Sequence, residues 1–199
     1  EDAFERLPVH WMWWPALGGL AVGVIGYVCP QTMGVGYDNI EHILGGSISG
    51  TALVTLLVMK FLSWSISLGS GTSGGTLAPL FTIGGALGAV AGSVIAAHAP
   101  ALGIDPGMAA LVSMAAIFAG ASQALLASVV FAFDTTLQPY ALLPLLGGCS
   151  AAYLVARLMM DHSIMTEKIA RRGLTLSTDY TADVLASLRV RDAATTNVV

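Results

Sequence analysis

Long apolar segments alternate with short turns rich in polar residues, proline or glycine along most of the chain. The apolar segments are 16–28, 45–68, 77–98, 108–133 and 141–158. About 20 apolar residues cross a bilayer as a helix, so the pattern predicts an all-α integral membrane protein that crosses the membrane several times. Some segments are too short, or too often interrupted by glycine, for a simple perpendicular span. Such helices occur at membrane depth only where protein or a cavity surrounds them, so we predict a transport fold with broken and re-entrant helices rather than a plain bundle.

Aromatic and small residues add detail to the first segment. Trp11, Trp13 and Trp14 cluster just before it, as aromatic residues do at a membrane–water interface. Gly19 and Gly23 have the four-residue spacing that allows close helix packing in lipid, so we predict that they form a packing face. The stretch 34–41 after this segment is polar enough to be a surface loop or a short interfacial helix.

The later segments carry few polar positions. We expect Lys60 to lie near a helix end and extend its charge to the interface, with the lining of a water-filled path as the alternative. The stretch 99–107 predicts a turn outside the bilayer. We expect 108–133 to be one long helix that Gly120 interrupts, that the polar Ser122 and Gln123 weaken, and that residues 134–136 end.

Composition and charge support the membrane assignment. Hydrophobic residues make up 55% of the chain and charged residues only 10%, with a mean hydropathy of +0.77. The net charge of −4 favours no particular partner, and no basic patch indicates nucleic acid. Six of the eight Lys and Arg residues follow Ala156, which predicts a cytoplasmic C-terminal end and, in a bacterium, a place in the inner membrane. Cys29 and Cys149 are expected to be buried free thiols.

The glycine-rich stretch 68–92 holds the candidate chemistry. It reads LGSGTSGGTLAPLFTIGGALGAVAG, which predicts a glycine-rich loop that opens into a helix with Pro79 in the first turn. The free N–H groups and the dipole of a helix start attract anions. The stretch could instead serve helix packing, or place Ser73 as a nucleophile, because GTSGG is similar to a serine-protease motif. That last hypothesis lacks a histidine in a recognisable base motif.

The same residues carry a family resemblance. LGSGTSGGTLAP resembles the glycine-rich signature of the CLC family of chloride channels and proton–chloride antiporters, in which the motif is GxFxP. The flanks PALGGLAVG, PQTMGVGYD, MAAIFAGASQALLASVVFAFDTT and SIMTEKIARRG are similar to the family in the same order along the chain. The resemblance therefore covers nearly the whole sequence and is much more specific than a single glycine motif.

This resemblance implies an anion site and no catalytic chemistry, cofactor or metal, with chloride as the transported substrate. The anion-binding residues carried over from the family are Gly75, Thr76, Leu77, Ala78, Pro79 and Met165. Main-chain N–H groups of Thr76 and Leu77 would face the ion, so the change from the usual Phe to Leu77 leaves those donors in place. Met165 stands where the family usually has a tyrosine whose hydroxyl touches the ion, and a thioether cannot donate to an anion.

The resemblance also implies an architecture and partners. Residues 1–173 would form the second of two inverted repeats of the membrane domain, and 174–199 a cytoplasmic linker into a truncated CBS-like region. The first repeat, with its gating glutamate, would be a separate part of a longer protein, so channel and antiporter both remain open. A structural or regulatory membrane half that is inactive alone is a further alternative. Segments within 122–157 correspond to the family's homodimer contact, which the small residues Gly120, Ala121, Gly147 and Gly148 would suit. We expect Asp134 to cap or pair at a helix end, with a place on a proton path as the alternative.

Overall fold

A computed structural model describes residues 2–6, 8–72, 74–160, 163–164 and 166–167, and every regular element among them is helical. The α-helices are α1 Asp2–Glu5, α2 Trp14–Val28, α3 Tyr37–Leu44, α4 Gly50–Gly69, α5 Leu77–His98, α6 Pro106–Ser122, α7 Leu125–Thr136 and α8 Leu142–Met159. Short 3₁₀ turns lie at Trp11–Trp13, Pro30–Thr32, Pro100–Leu102 and Pro139–Ala141. The predicted all-α class is confirmed. The predicted boundary at 173/174 lies outside the described residues.

Four stretches are long and apolar enough to cross a membrane: Trp11–Val28, Gly50–Gly69, Leu77–His98 and Pro139–Met159. Two shorter apolar helices, α6 and α7, lie between the third and the fourth. Length and composition therefore agree with a membrane protein that combines full spans with short helices.

Helix α5 lies at the centre of the fold and packs against α3, α4 and α6. Gly84, Gly88 and Gly92, spaced by four residues, form the face that meets α6, and a Cβ built on Gly88 would lie 2.3 Å from the carbonyl oxygen of Ala109. Beside this contact, Phe81 of α5 enters a buried cluster with residues of α6, α7 and α8, and its ring meets that of Phe118 edge-on at 5.4 Å. The first turn of α5 is thus held by a closely packed core.

The predicted single helix over 108–133 is two helices. Gln123 breaks it with a left-handed backbone (φ +56°), and the Ser122 hydroxyl accepts a hydrogen bond from the Ala124 N–H at 3.3 Å. Gly120 does not interrupt the helix but lies inside α6, so that predicted interruption is wrong. The predicted end at residues 134–136 is confirmed, because α7 ends at Thr136. A glycine can adopt helical backbone angles as well as positive φ values, so it does not by itself end a helix. Here α6 packs on α8, and Gly120 remains helical.

The glycines that mediate helix contacts are not those that spacing predicted. A Cβ on Gly18 would lie 2.4 Å from Ser70 Cβ and one on Gly26 2.3 Å from Met33 Sδ, whereas Gly19 and Gly23 have no atom within 4 Å among the described residues. The predicted face of α2 is therefore wrong within this part of the chain. Its neighbours are α4 and the turn after α2, which meet the helix at Gly18 and Gly26.

The small residues assigned to a homodimer contact also have neighbours inside the chain. Gly120 lies close to α8, where a Cβ would be 3.5 Å from the Ala152 carbonyl oxygen, and a Cβ on Gly148 would be 2.5 Å from Val112 Cγ1. Gly147 alone of the three glycines faces open space within the described chain. Close packing of α6 on α8 accounts for the small residues at positions 120 and 148, and this packing requires no second subunit.

Candidate anion site at the start of α5

The first turn of α5 has main-chain donors without an acceptor among the residues that the structure describes. Thr76 is the N-cap residue, and no side chain of the described residues caps the helix. The N–H of Leu80 bonds to the Thr76 carbonyl at 3.1 Å and Pro79 has no N–H, so the donors left at the helix start are those of Leu77 and Ala78, with that of Thr76 just before them. These groups and the helix dipole favour an anion at this position.

Hydrogen bonds hold the loop before α5 against the end of α4. The Ser70 hydroxyl donates to the Ser67 carbonyl at 2.8 Å, and the Thr72 and Ser67 hydroxyls lie 2.9 Å apart. Gly71 has a φ of +80°, a value that glycine adopts without strain. Ser70 is only 1% exposed and packs under Gly18 of α2. The sequence SGT thus turns the chain sharply from one membrane helix towards the next.

A cavity of about 270 Å³ opens beside this loop. Its walls come from α4, from the turn that follows α2, and from the loop and first turn of α5. They include Lys60, Ser63 and Trp64 of α4, Thr32 and Gly34 of the turn, and Gly74, Gly75 and Pro79. The cavity therefore brings a charged side chain to the same space as the glycine-rich loop.

Lys60 is the charged residue of this wall, and it does not lie where the sequence predicted. It sits in the middle of α4 with 4% of its surface exposed. Its ammonium donates to the carbonyl oxygens of Thr32 at 2.9 Å and Gly34 at 3.3 Å. The predicted extension from a helix end to the interface is therefore wrong, because the turn after α2 folds over α4 and supplies acceptors at the same depth.

Thr82 ties the same turn to α5. Its hydroxyl, which is fully buried, lies 2.9 Å from the Ala78 carbonyl oxygen and 3.5 Å from that of Gly36. Gly36 has a φ of +95°, and a Cβ there would lie 3.1 Å from Thr82 Oγ1 and 3.5 Å from Lys60 Nζ. The turn, α4 and α5 are thus fixed to one another around the cavity.

The predicted site residues differ in their relation to the cavity. Gly75 and Pro79 line it, Ala78 is buried in the first turn, and the Leu77 side chain packs against the core cluster rather than on the cavity wall. Thr76 lies between the lining residues as the N-cap. Ser73 and Met165 lie outside the described residues.

Most of the lining residues were not predicted as part of the site, among them Lys60 and Trp64. The indole Nε1 of Trp64 is shielded from solvent and has no hydrogen-bond acceptor among the described residues. A sequence cue existed for Lys60, since an ionisable residue within a membrane segment is a functional candidate by default. No comparable cue marks Trp64.

Comparison with known proteins assigns the sequence to a family. Residues 1–157 match the family described as voltage gated chloride channel. The chain belongs to that family. The match includes the cavity, the glycine-rich loop and α5, and it ends before Met165.

Individual members of the voltage gated chloride channel family agree with the assignment. The putative chloride channel protein ClcB-like of Ralstonia nicotianae is 32% identical over 156 residues, which are 78% of this chain and 36% of that protein. The H(+)/Cl(-) exchange transporter ClcA of Vibrio parahaemolyticus is 31% identical over 155 residues, or 78% of this chain and 33% of that protein. The ClcA of Yersinia pestis is 28% identical over 175 residues. The chain thus spans about a third of the length of these relatives.

Proposed function

We propose that this chain forms one half of a chloride-transporting membrane domain, acting in a channel or a proton-coupled exchanger rather than in an enzyme. Family membership supports chloride as the substrate, since the relatives carry the names chloride channel and H(+)/Cl(-) exchange transporter. The observation that carries the proposal is the uncapped start of α5, a membrane-spanning helix, beside a cavity.

In this proposal the ion binds to main-chain N–H groups within Gly75–Pro79. The donors of Thr76, Leu77 and Ala78 would replace part of the water around a chloride ion, and the helix dipole would add a favourable field. Main-chain donors are fixed by the helix and do not titrate. Binding of this kind is favourable yet modest, as transport requires, because each ion must also leave.

The proposed partners are the other inverted repeat of the domain and a second copy of the protein. The cavity opens beside the α5 start, where residues of the first repeat would complete the ligand set. Helices α7 and α8 expose large apolar side chains, among them Leu126, Val130, Leu143 and Leu158. These surfaces suit lipid or a homodimer contact within 122–157. In the proposed orientation the C-terminal end faces the cytoplasm.

Chloride flux from liposomes that contain the full-length protein tests the proposal. We expect flux that depends on the protein, and simultaneous proton measurement distinguishes an exchanger from a channel. Absence of chloride flux in a correctly folded, reconstituted protein would refute the transport function.

The main-chain contact can be tested separately by replacing Leu77 with its α-hydroxy acid, which removes the N–H and keeps the side chain. A hydrogen bond to a charged group contributes roughly 1.5–3 kcal/mol, so we expect chloride affinity to fall about tenfold or more. The same replacement at Leu143, in the first turn of α8, is the matched control. Equal affinities for both variants would contradict the role of the α5 start.

A further inference from the structure

A separate cleft lies between α5, α6 and the start of α8, and it shares no lining residue with the cavity beside the glycine-rich loop. Its volume is about 630 Å³, within the range of about 300–1,000 Å³ that is usual for ligand pockets. Apolar side chains make up most of its wall, among them Leu87, Ala91, Ile95, Met108, Val112 and Pro144. The cleft therefore offers an apolar site away from the candidate anion site.

The cleft opens on the side of a membrane-spanning helix. Leu87, Ala91 and Ile95 follow one another at four-residue spacing on one face of α5, and the side chains of Leu87 and Ile95 are 47% and 39% exposed. From Leu87 to Ile95 the helix rises about 12 Å, most of the depth of one leaflet in a hydrocarbon core about 30 Å thick. In a bilayer, lipid acyl chains thus reach this face directly.

A carboxylate stands at one end of the cleft. Asp105 lies between the end of α5 at His98 and the start of α6 at Pro106, and it is the charged residue among the described residues that line the cleft. One of its oxygens accepts a hydrogen bond from the Met108 N–H at 2.9 Å. A carboxylate has two acceptor oxygens, and no donor among the described residues reaches the second. Because Asp105 is exposed, this acceptor is available where the helices end.

We infer that the cleft binds a phospholipid whose headgroup carries a primary ammonium, with an acyl chain along α5 and the ammonium at Asp105. A primary ammonium has N–H groups that donate to a carboxylate, as those of lysine do. The quaternary ammonium of a choline headgroup has no N–H to donate. The cleft therefore prefers phosphatidylethanolamine to phosphatidylcholine.

The charge at Asp105 also favours a lipid over a protein segment as the occupant. A protein segment that covered the whole cleft would take the carboxylate out of water, which is costly unless a buried cation pairs with it. A lipid headgroup lies at the interface and leaves the carboxylate hydrated. This inference goes beyond the proposed chloride transport and does not depend on it.

Native mass spectrometry of the full-length protein tests the headgroup preference. Detergent-purified protein is mixed with equal amounts of phosphatidylethanolamine and phosphatidylcholine that carry the same acyl chains. We expect the first lipid to bind about two- to fivefold better, as for an exposed ion pair. Asp105→Asn keeps an oxygen for the Met108 N–H but removes the charge, and it should abolish the preference. Asp38→Asn, at an exposed position outside the cleft, is the matched control and should retain it.

Filling the cleft tests the position of the acyl chain. Ala91→Trp places a large side chain on the cleft wall, and we expect it to lower the retention of both lipids after washing in detergent. Ala97→Trp, at an exposed position of the same helix outside the cleft, should retain them as the parent protein does. Equal retention in these two variants would contradict an acyl chain in the cleft.

A density map of the full-length protein in nanodiscs of phosphatidylethanolamine shows the occupant directly. Lipid density along α5 that ends at Asp105 supports the inference. Side chains of the same protein or of a second copy in the cleft would overturn it, as would an unchanged headgroup preference in Asp105→Asn. Either result leaves the proposed transport function intact, because chloride flux is measured separately and the candidate anion site shares no lining residue with this cleft.

Discussion

Replacing Gly88 with Ala should separate α5 from α6 and destabilise the fold that holds the anion site. The new Cβ would lie 2.3 Å from the Ala109 carbonyl oxygen and 2.5 Å from Ser113 Cβ. The nearer atom belongs to the backbone of α6, so a side-chain rotation cannot relieve the contact and the helices must move apart. The packing of Gly84 and Gly92, one turn away on either side, would loosen with it.

The size of the effect follows from two opposing terms. Overpacking a tight core costs typically about 1–3 kcal/mol, whereas Gly→Ala in a helix interior gains about 1 kcal/mol in helix propensity. Gly147→Ala is the matched control, because this α8 glycine has no atom within 4 Å among the described residues. The control receives only the favourable term. We therefore expect Gly88→Ala to be less stable than Gly147→Ala by about 1–3 kcal/mol.

Unfolding in mixed detergent, followed by far-ultraviolet circular dichroism, measures this difference. The same two variants should differ in chloride affinity, because a displaced α5 carries its first turn with it. Equal unfolding free energies for Gly88→Ala and Gly147→Ala would refute the claim that the α5–α6 contact depends on glycine at this position.

Two further predictions concern a ligand and a helix cap. The family resemblance implies that Met165 stands where a tyrosine hydroxyl would touch the ion, so we expect Met165→Tyr to bind chloride severalfold more tightly in a titration. Met165→Phe should show no gain, and an equal response of both variants would contradict the idea. Asp105 accepts a hydrogen bond from the Met108 N–H at 2.9 Å at the start of α6, so Asp105→Ala should lower the unfolding free energy by about 1 kcal/mol. Asp105→Asn, which keeps the acceptor, should preserve stability, and a loss as large as that of Asp105→Ala would argue against capping.

The apolar pattern was sufficient to predict the class of the protein and several of its helices. Helix α5 begins directly after the glycine-rich loop and ends at His98, as predicted, because Pro79 and the glycines act locally on the backbone. The turn before α6 is equally local, with Asp105 as cap and Pro106 in the first turn. The family resemblance, which depends only on the order of motifs, was confirmed.

Which faces meet was decided by the tertiary structure. Spacing alone gave Gly19 and Gly23 as the packing face of α2, but Gly18 and Gly26 make the close contacts because of where α4 and the following turn lie. The break between α6 and α7 falls at Gln123, one of the two polar positions expected only to weaken the helix, rather than at Gly120. The spacing of small residues predicts that a helix has a face suited to close packing. Which element packs on that face depends on residues elsewhere in the chain.

Lys60 shows the same limit at the candidate site. The sequence alone identified a rare charge inside a membrane segment, yet it gave no indication that its acceptors are Thr32 and Gly34, 28 and 26 residues earlier. Local sequence determines hydrophobicity and helix propensity. The environment of a buried charge depends on long-range contacts, and only the folded chain brings Lys60, Trp64 and the start of α5 to one cavity.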